Sequence, residues 1–317
     1  MRTRLLTGLL AAALALGNTG CVKKMLLDGQ IKSTRIGAGA SDTIGDYELA
    51  RSASQAAMMQ FEGMHRLAPD NEDALYLLMR GWAGYGYAFA EDDYLTAVLA
   101  DNEELAEYHK RRTKLAWDRS ISYGLELVGH RDGGFKDAKK NAMTLRAWLQ
   151  EHFKEPEDAE TLFWLGSPWL ARVNLLKDEP AYVSELFVGV EILEHSRRLD
   201  PTYLAYTGTS LLASYHARSP NAEMDEAKKL FEEAIAKTQR KSLGILLNYA
   251  TRYACNKQDF ALYEKLVNEV LNAEDPEPNY RLQNTIAKRR AKRALHKSAL
   301  EDCGFPAPST PAPPAQK

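Results

Sequence analysis

Cysteine is scarce in this chain. Cys21, Cys255 and Cys303 are its only three, and no CxxC pair or Cys/His cluster has metal-ligand spacing. That excludes zinc ribbons and thioredoxin-like redox motifs. The histidines His65, His109, His130, His152, His195, His216 and His296 are scattered, with no HExxH among them. Each reads as a surface or hydrogen-bonded core histidine. A G-x-S-x-G nucleophile elbow is missing, and Gly208-Thr209-Ser210 sits in a run too apolar for an exposed turn. With no catalytic constellation and no cofactor motif, the chain reads as non-enzymatic. Charge of one sign is missing as well. Lys and Arg number 41 against 43 Asp and Glu, a net charge of -2, which excludes the basic footprint of a nucleic-acid binder. Alternating strand-like runs are hard to find. Beyond the N-terminus no apolar run approaches the length that crosses a bilayer.

The N-terminus has its own logic. Arg2 and Arg4 precede an apolar stretch from Leu5 to Leu16, followed by Asn18-Thr19-Gly20-Cys21. A short basic region, a run too short to be a stable anchor and a small residue before a Cys resemble a bacterial lipoprotein processing site. Asn18 departs from the Leu-like residue usual three places before the Cys. Residues 1–20 are therefore expected to be a signal peptide, with Cys21 lipidated and anchored in the membrane by its acyl chains. Loss of Arg2 and Arg4 takes the formal charge to -4. Val22 after the Cys, where an aspartate would signal inner-membrane retention, favours the periplasmic leaflet of the outer membrane. Cys255 and Cys303 remain, and an oxidising periplasm leaves two readings open: a disulfide, or two isolated thiols.

Residues 21–43 read as the lipidated tether and lead-in, with IGAGAS breaking any helix. From Ile44 helical spacing dominates. DYELARSASQAAMMQFEGMHRLAPDN carries Leu49, Ala53, Ala56, Ala57, Phe61 and Met64 on one face and stops at Pro69-Asp70. Further helices are expected over 72–89, 103–128, 135–153, 158–176 (kinked or split at Pro168), 180–199, 202–216, 223–237, 242–255, 260–271 and 278–300. Ala57, Phe61 and Pro69, then Ala227, Phe231 and Ala234, echo the small-aromatic-small pattern of tetratricopeptide helices. The expected architecture is all-α: a tetratricopeptide-like helical-repeat domain over 44–303, closed into a globular helix bundle. PAPSTPAPPAQK within residues 304–317 reads as a Pro-rich disordered tail.

RGWAGYGYAFAEDD, residues 80–93, is the most unusual stretch. Its lead-in is helical and no Lys or Ser/Thr comes after the glycines, so it is no phosphate loop. On a helical wheel Trp82, Tyr85 and Phe89 share one face, while Gly81, Gly84 and Ala88 share the next. Interior glycines cost about 1 kcal/mol each relative to Ala, which points to close packing or a space kept open. A second aromatic group, Phe163, Trp164 and Trp169, surrounds Gly166-Ser167-Pro168. The two groups are candidate ligand-cavity residues, with core packing the competing reading. Acidic pairs such as Asp92-Asp93 read as helix-terminal charges. The basic run Lys288-Arg289-Arg290, Lys292-Arg293, His296-Lys297 reads as a solvated face or as a contact for acidic lipid or an acidic partner.

The stretches QFEGMHRLAPDNEDALYLLMRGWAGYGYAFAEDD, TLFWLGSPWLARVNLL, RRLDPTYLAYTGTSLLASYHA, DEAKKLFEEAIAKTQRKSLGILLNYATRYACNKQDFALYEKLVNEVL and NYRLQNTIAKRRAKRAL occur in order over most of the chain. Together they resemble the TatT family, lipoproteins associated with tripartite ATP-independent periplasmic (TRAP) transporters. Asn221-Ala222 departs from the family's glycine-rich turn. The resemblance implies a periplasmic lipoprotein with a tetratricopeptide-like fold, a homotrimer with a pore or cavity through each protomer. It also implies a partner, the solute-binding protein of a TRAP transporter, and a hydrophobic or organic-acid ligand. The alternative function is a helical-repeat scaffold for cell-envelope assembly.

Overall fold

The structure, a computed structural model, describes residues 22–218 and 222–306. The signal-peptide segment, Cys21, the Asn221 departure and the tail from residue 307 lie outside the described residues. Among the described residues there are helices and no strands, as the 3.6-residue periodicity requires.

Local chemistry sets the helix starts. Asp46, Asn71, Asn102, Asn141 and Asp259 each accept a hydrogen bond from the backbone N–H three residues on. They open α2 (Tyr47–Leu67), α3 (Glu72–Tyr85), α5 (Glu103–Gly129), α7 (Ala142–His152) and α15 (Phe260–Asn272). A π-helical turn, Gly86–Ala90, carries α3 without a break into α4 (Glu91–Leu99). Between α5 and α7 lies the short α6 (Phe135–Ala138). Then come α8 (Asp158–Leu175), α9 (Pro180–Val183), α10 (Leu186–Leu199), α11 (Tyr203–Arg218) and α12 (Met224–Lys237). The next helix, α13 (Leu243–Asn248), also passes through a π turn, Tyr249–Ala254, into α14 (Cys255–Lys257). The last two are α16 (Arg281–Ala294) and α17 (Lys297–Asp302).

The expected tether differs from the structure. Residues 22–37 form a helix, α1, continued by a 3₁₀ turn at Ala38–Thr43. Ile31 is fully buried against Phe61, Met64, Ala74, Leu77 and Leu78, and Arg35 pairs with both Asp73 and Glu160. One buried Ile and two ion pairs are enough to fix a segment whose composition alone suggests a linker. The expected break survives as the 3₁₀ turn.

The helices pack in an order that closes. α2 lies on α3, α3 on α5 and α8, α8 on α10 and α11, α11 on α12 and α13, and α13 on α16. α16 then returns to α2 and the 38–43 turn, where Gln283 donates to Asp42 and Thr285 to the Gly45 carbonyl. The chain thus forms a ring rather than an open solenoid. Phe61 and Met64 are buried, as are Ala227, Phe231 and Ala234, so the small-aromatic-small pattern does mark core positions.

Three further expectations are corrected. Pro168 neither splits nor ends its helix, and α8 runs on through it. Its missing N–H leaves the Trp164 carbonyl without an intrahelical partner, while the close approach of Gly166 to Gly189 holds α8 against α10. The helix expected to stop at Phe89 continues through Glu91-Asp92-Asp93, because arginines neutralise these acids mid-helix. The helix expected from Thr202 starts with a left-handed turn: Leu204, Ala205 and Tyr206 have φ of 46°, 54° and 59°. Left-handed L-residues cost roughly 1–2 kcal/mol each, so tertiary contacts hold that turn in place. Of the two readings of the cysteines, the structure has the bridge: Cys255 and Cys303 are joined, with Cα atoms 5.0 Å apart.

Candidate functional site

Five helical segments are buried over most of their circumference, yet each carries an accessible stripe at helical spacing. On α3 and its π turn the stripe is Arg80, Gly84, Tyr87 and Glu91. On α8 it includes Glu160, Trp164 and Ser167, and on α11 Thr207, Leu211, Ser214 and Arg218. On α13 and its π turn it is Gly244, Asn248 and Arg252, and α16 contributes Arg290. A helix buried all round would have no such stripe.

The stripes meet one another. Arg80 lies 5.8 Å from the Trp164 ring, and Trp164 Nε1 donates to Tyr203 Oη at 2.7 Å. Tyr203 Oη is 3.3 Å from Tyr76 Oη, which donates to Glu160 at 3.0 Å. Burial raises the pKa of both tyrosines, so both stay neutral donors. Tyr203 directly precedes the left-handed turn at Leu204–Tyr206. Asn248 donates to Ser210 at 3.1 Å, tying α13 to α11. Arg290 stacks over the Tyr87 ring at 3.9 Å, donates to the Tyr87 carbonyl and pairs with Glu91 at 2.7 Å. A Cβ added at Gly84 or Gly244 would meet nothing within 4 Å. These contacts tie the partly accessible stripes of the five segments to one another.

The π turn after α3 packs against Trp117. Gly86 lies so close to Trp117 that a Cβ would sit 2.7 Å from the ring. The extra residue of the π turn rotates the next helical turn relative to an ideal α-helix. Tyr87, 39% exposed, lies in line with Gly84 and Glu91 at ordinary helical spacing, while Phe89 on the opposite side is 1% exposed.

The joint between α4 and α16 is electrostatic. Asp92 is fully buried; Arg289 Nε donates to its Oδ2 at 2.6 Å, and Arg293 Nη2 lies 2.6 Å from its Oδ1. Tyr47 donates to the same carboxylate at 3.1 Å. Burial pushes the Asp92 pKa up, but Arg293 and Arg289 outweigh it and hold it below the ordinary 3.8. Asp93 is paired by Arg51 at 2.8 Å. The basic run of α16 is thus no solvated face: Arg289, Arg290 and Arg293 close the ring onto Glu91 and Asp92. Lys288 caps the end of α15 through the Ala273 and Glu274 carbonyls. Lys292, His296 and Lys297 are the members left exposed.

Of the six candidate aromatics, only Trp164 lies on the interior stripe. Tyr85, Phe89, Phe163 and Trp169 are 5%, 1%, 3% and 1% exposed and pack inside hydrophobic clusters. Half-buried Trp82 turns to the other side of α3, where its Nε1 donates to Glu62 at 3.2 Å and Arg119 covers its ring. Sequence reasoning did not single out Tyr87, Arg218 or Arg252, and named Arg290 only within the basic run. The one signal available was the Arg80–Gly84–Tyr87–Glu91 spacing, readable as a single face once the wheel is not restricted to rings.

The fold and site define a ring-shaped, all-helical protein with partly accessible stripes on otherwise buried helices and no cluster of metal-ligating residues among those described. A family match over residues 44–300 is decisive: the chain belongs to the TRAP transporter T-component family. Its role is therefore associated with TRAP transport in the cell envelope, and that family is a transporter component rather than an enzyme family. No curated protein matches the chain. Among the described residues no helix is long and apolar enough to cross a membrane.

Proposed function

We propose that the protein is a non-enzymatic accessory of a TRAP transporter. It is anchored through lipidated Cys21 to the periplasmic leaflet of the outer membrane, where it docks the transporter's solute-binding protein. In this reading a small organic solute passes between the two proteins through the interior enclosed by α3, α8, α11, α13 and α16. The homotrimer implied by the family resemblance would present one such interior per protomer. The observation that carries the reading is the set of mutually contacting accessible stripes on otherwise buried helices. Close packing alone would have filled the space beside Gly84 and Gly244.

Native mass spectrometry of the mature chain with the solute-binding protein of the same transporter tests this. A complex of defined stoichiometry is the expected result; separate proteins at every concentration would overturn it. A scaffold role is the second reading. It has one observation in its favour, an outward groove of about 550 Å³ between α12, the Tyr249 turn and α15, lined by Ile235, Tyr249, Leu262 and Leu266. Capture of envelope-assembly proteins with no solute-binding protein would favour it.

A further inference from the structure

The interior holds cations without acids to match them. Arg252 projects from the π turn of α13, half-buried, and its guanidinium has no hydrogen bond or ion pair among the described residues. The charged or polarisable groups acting on it are Arg218, Glu91, Arg290 and Tyr87. Two of these four are themselves arginines. Glu91, the one carboxylate, lies 2.7 Å from Arg290 and is already committed. Arg218 likewise has no carboxylate partner among the described residues, and the segments outside the described residues contain no Asp or Glu.

Arg252 is half-buried, whereas Arg218 is exposed. Burial, together with Arg218 and Arg290, pulls the Arg252 pKa down to about 10. Burial also lowers that of Arg218, although its side chain keeps exposed area. Exposed area with reduced solvation is what a side chain facing an enclosed water-filled space should show. Neighbouring guanidiniums repel, and leaving them partly desolvated without counter-charge is unfavourable. At comparable depth Arg51 is matched by Asp93, Arg172 by Asp118 and Glu185, and Arg293 by Asp92, whereas Arg197 on α10 is half-buried and has no ion pair among the described residues.

We infer that Arg252 and Arg218, walled by Tyr87 and the Arg290–Glu91 pair, form a binding site for the carboxylate of a small organic anion. The proposal rests on the transport reading for its biological sense and names the solute class. A planar guanidinium offers a carboxylate two parallel donors. The exposed ring of Tyr87 supplies an apolar wall for the organic part of the ligand.

The test is a melting-temperature titration of the full chain at constant ionic strength with benzoate and hexanoate. Benzyl alcohol and hexanol serve as neutral controls, and inorganic phosphate as a competing anion. The carboxylates should raise Tm by ~5–10 °C at a hundredfold excess over Kd, with the alcohols and phosphate giving little. Arg252→Met should melt no lower than the parent without ligand and should lose at least ~10-fold in carboxylate affinity. Arg218→Gln provides a second variant should Arg252→Met misfold, and Arg252→Lys should restore affinity only in part because it lacks the fork. The proposal fails if neither carboxylate shifts Tm, if alcohols or phosphate shift it equally, or if both variants bind like the parent. Failure here with the solute-binding protein still captured would leave the transport reading standing and remove only the site.

Discussion

Two helices of this ring carry a π turn, and the two turns place opposite charges in opposite circumstances. Beyond Gly86–Ala90, Asp92 is fully buried and met by Arg289, Arg293 and Tyr47. Within Tyr249–Ala254, Arg252 is half-buried and met by no carboxylate among the described residues. The first arrangement is a closure: long arginines from α16 span a gap that helix packing leaves open. The second is an imbalance in the charge pattern. Saturated charge marks where the ring is fastened, and unsaturated charge marks where, in the proposed reading, it receives a solute.

The comparison breaks most visibly at Asp92. Asp92→Ala strands Arg289 and Arg293 beside a buried gap and should cost about 3–5 kcal/mol, the usual penalty for removing one partner of a buried pair. Urea unfolding would measure it; a loss under ~1 kcal/mol would show that the joint is not a fastening. Acid should probe the same joint. The Asp92 pKa is depressed on folding, so its stabilisation is complete above the ordinary carboxylate value of 3.8 and is lost as pH falls through the lower folded value. Asp92→Asn should remove that part of the acid transition, leaving a stability profile flatter below pH ~4 than the parent's.

Next in size is the disulfide, which ties the end of the second π turn to the C-terminal segment across 48 residues. Replacing Cys255 and Cys303 with Ser should cost about 2–4 kcal/mol. The first turn has no covalent tie and is held by packing and by hydrogen bonds from Arg290 to the Tyr87 carbonyl and from Tyr47 to the Ala88 carbonyl. There, Gly86→Ala drives a Cβ to 2.7 Å from Trp117 and should cost about 1–3 kcal/mol. The smallest effect sharpens the contrast within one helix. Gly84→Ala, with nothing within 4 Å, should be neutral or stabilise by up to ~1 kcal/mol, though it narrows the interior. Equal destabilisation by the two alanines would mean that Gly84 serves packing as Gly86 does.

Much of the architecture was legible in the sequence. Helical spacing pointed to the all-α class, and the stop at Pro69-Asp70 with a new helix from Glu72 was read correctly. The closed form was also readable, though the pieces that close it were not. A wheel ranked by aromatic rings singled out the Trp82–Tyr85–Phe89 face, although Arg80, Gly84, Tyr87 and Glu91 share the accessible one. The arginines of α16 looked like a solvated run because their partners, Glu91 and Asp92, lie about two hundred residues earlier. Ile31 and Arg35 anchored a segment whose glycines suggested a tether. The misses at α16 and at the lead-in came from contacts distant in sequence, whereas the helix positions came from patterns within a few turns.

The most direct test of an interior that is both accessible and cationic uses one introduced thiol. In a Cys21→Ser background, Cys255 and Cys303 are bridged, so Gly84→Cys supplies the reactive group. Thiosulfonate reagents of like size, one bearing a sulfonate and one a trimethylammonium, would be compared for labelling rate. The account predicts that both react and that the anion is faster by roughly tenfold, with the ratio collapsing in Arg252→Met. No labelling by either reagent, or equal rates unaffected by Arg252, would contradict it.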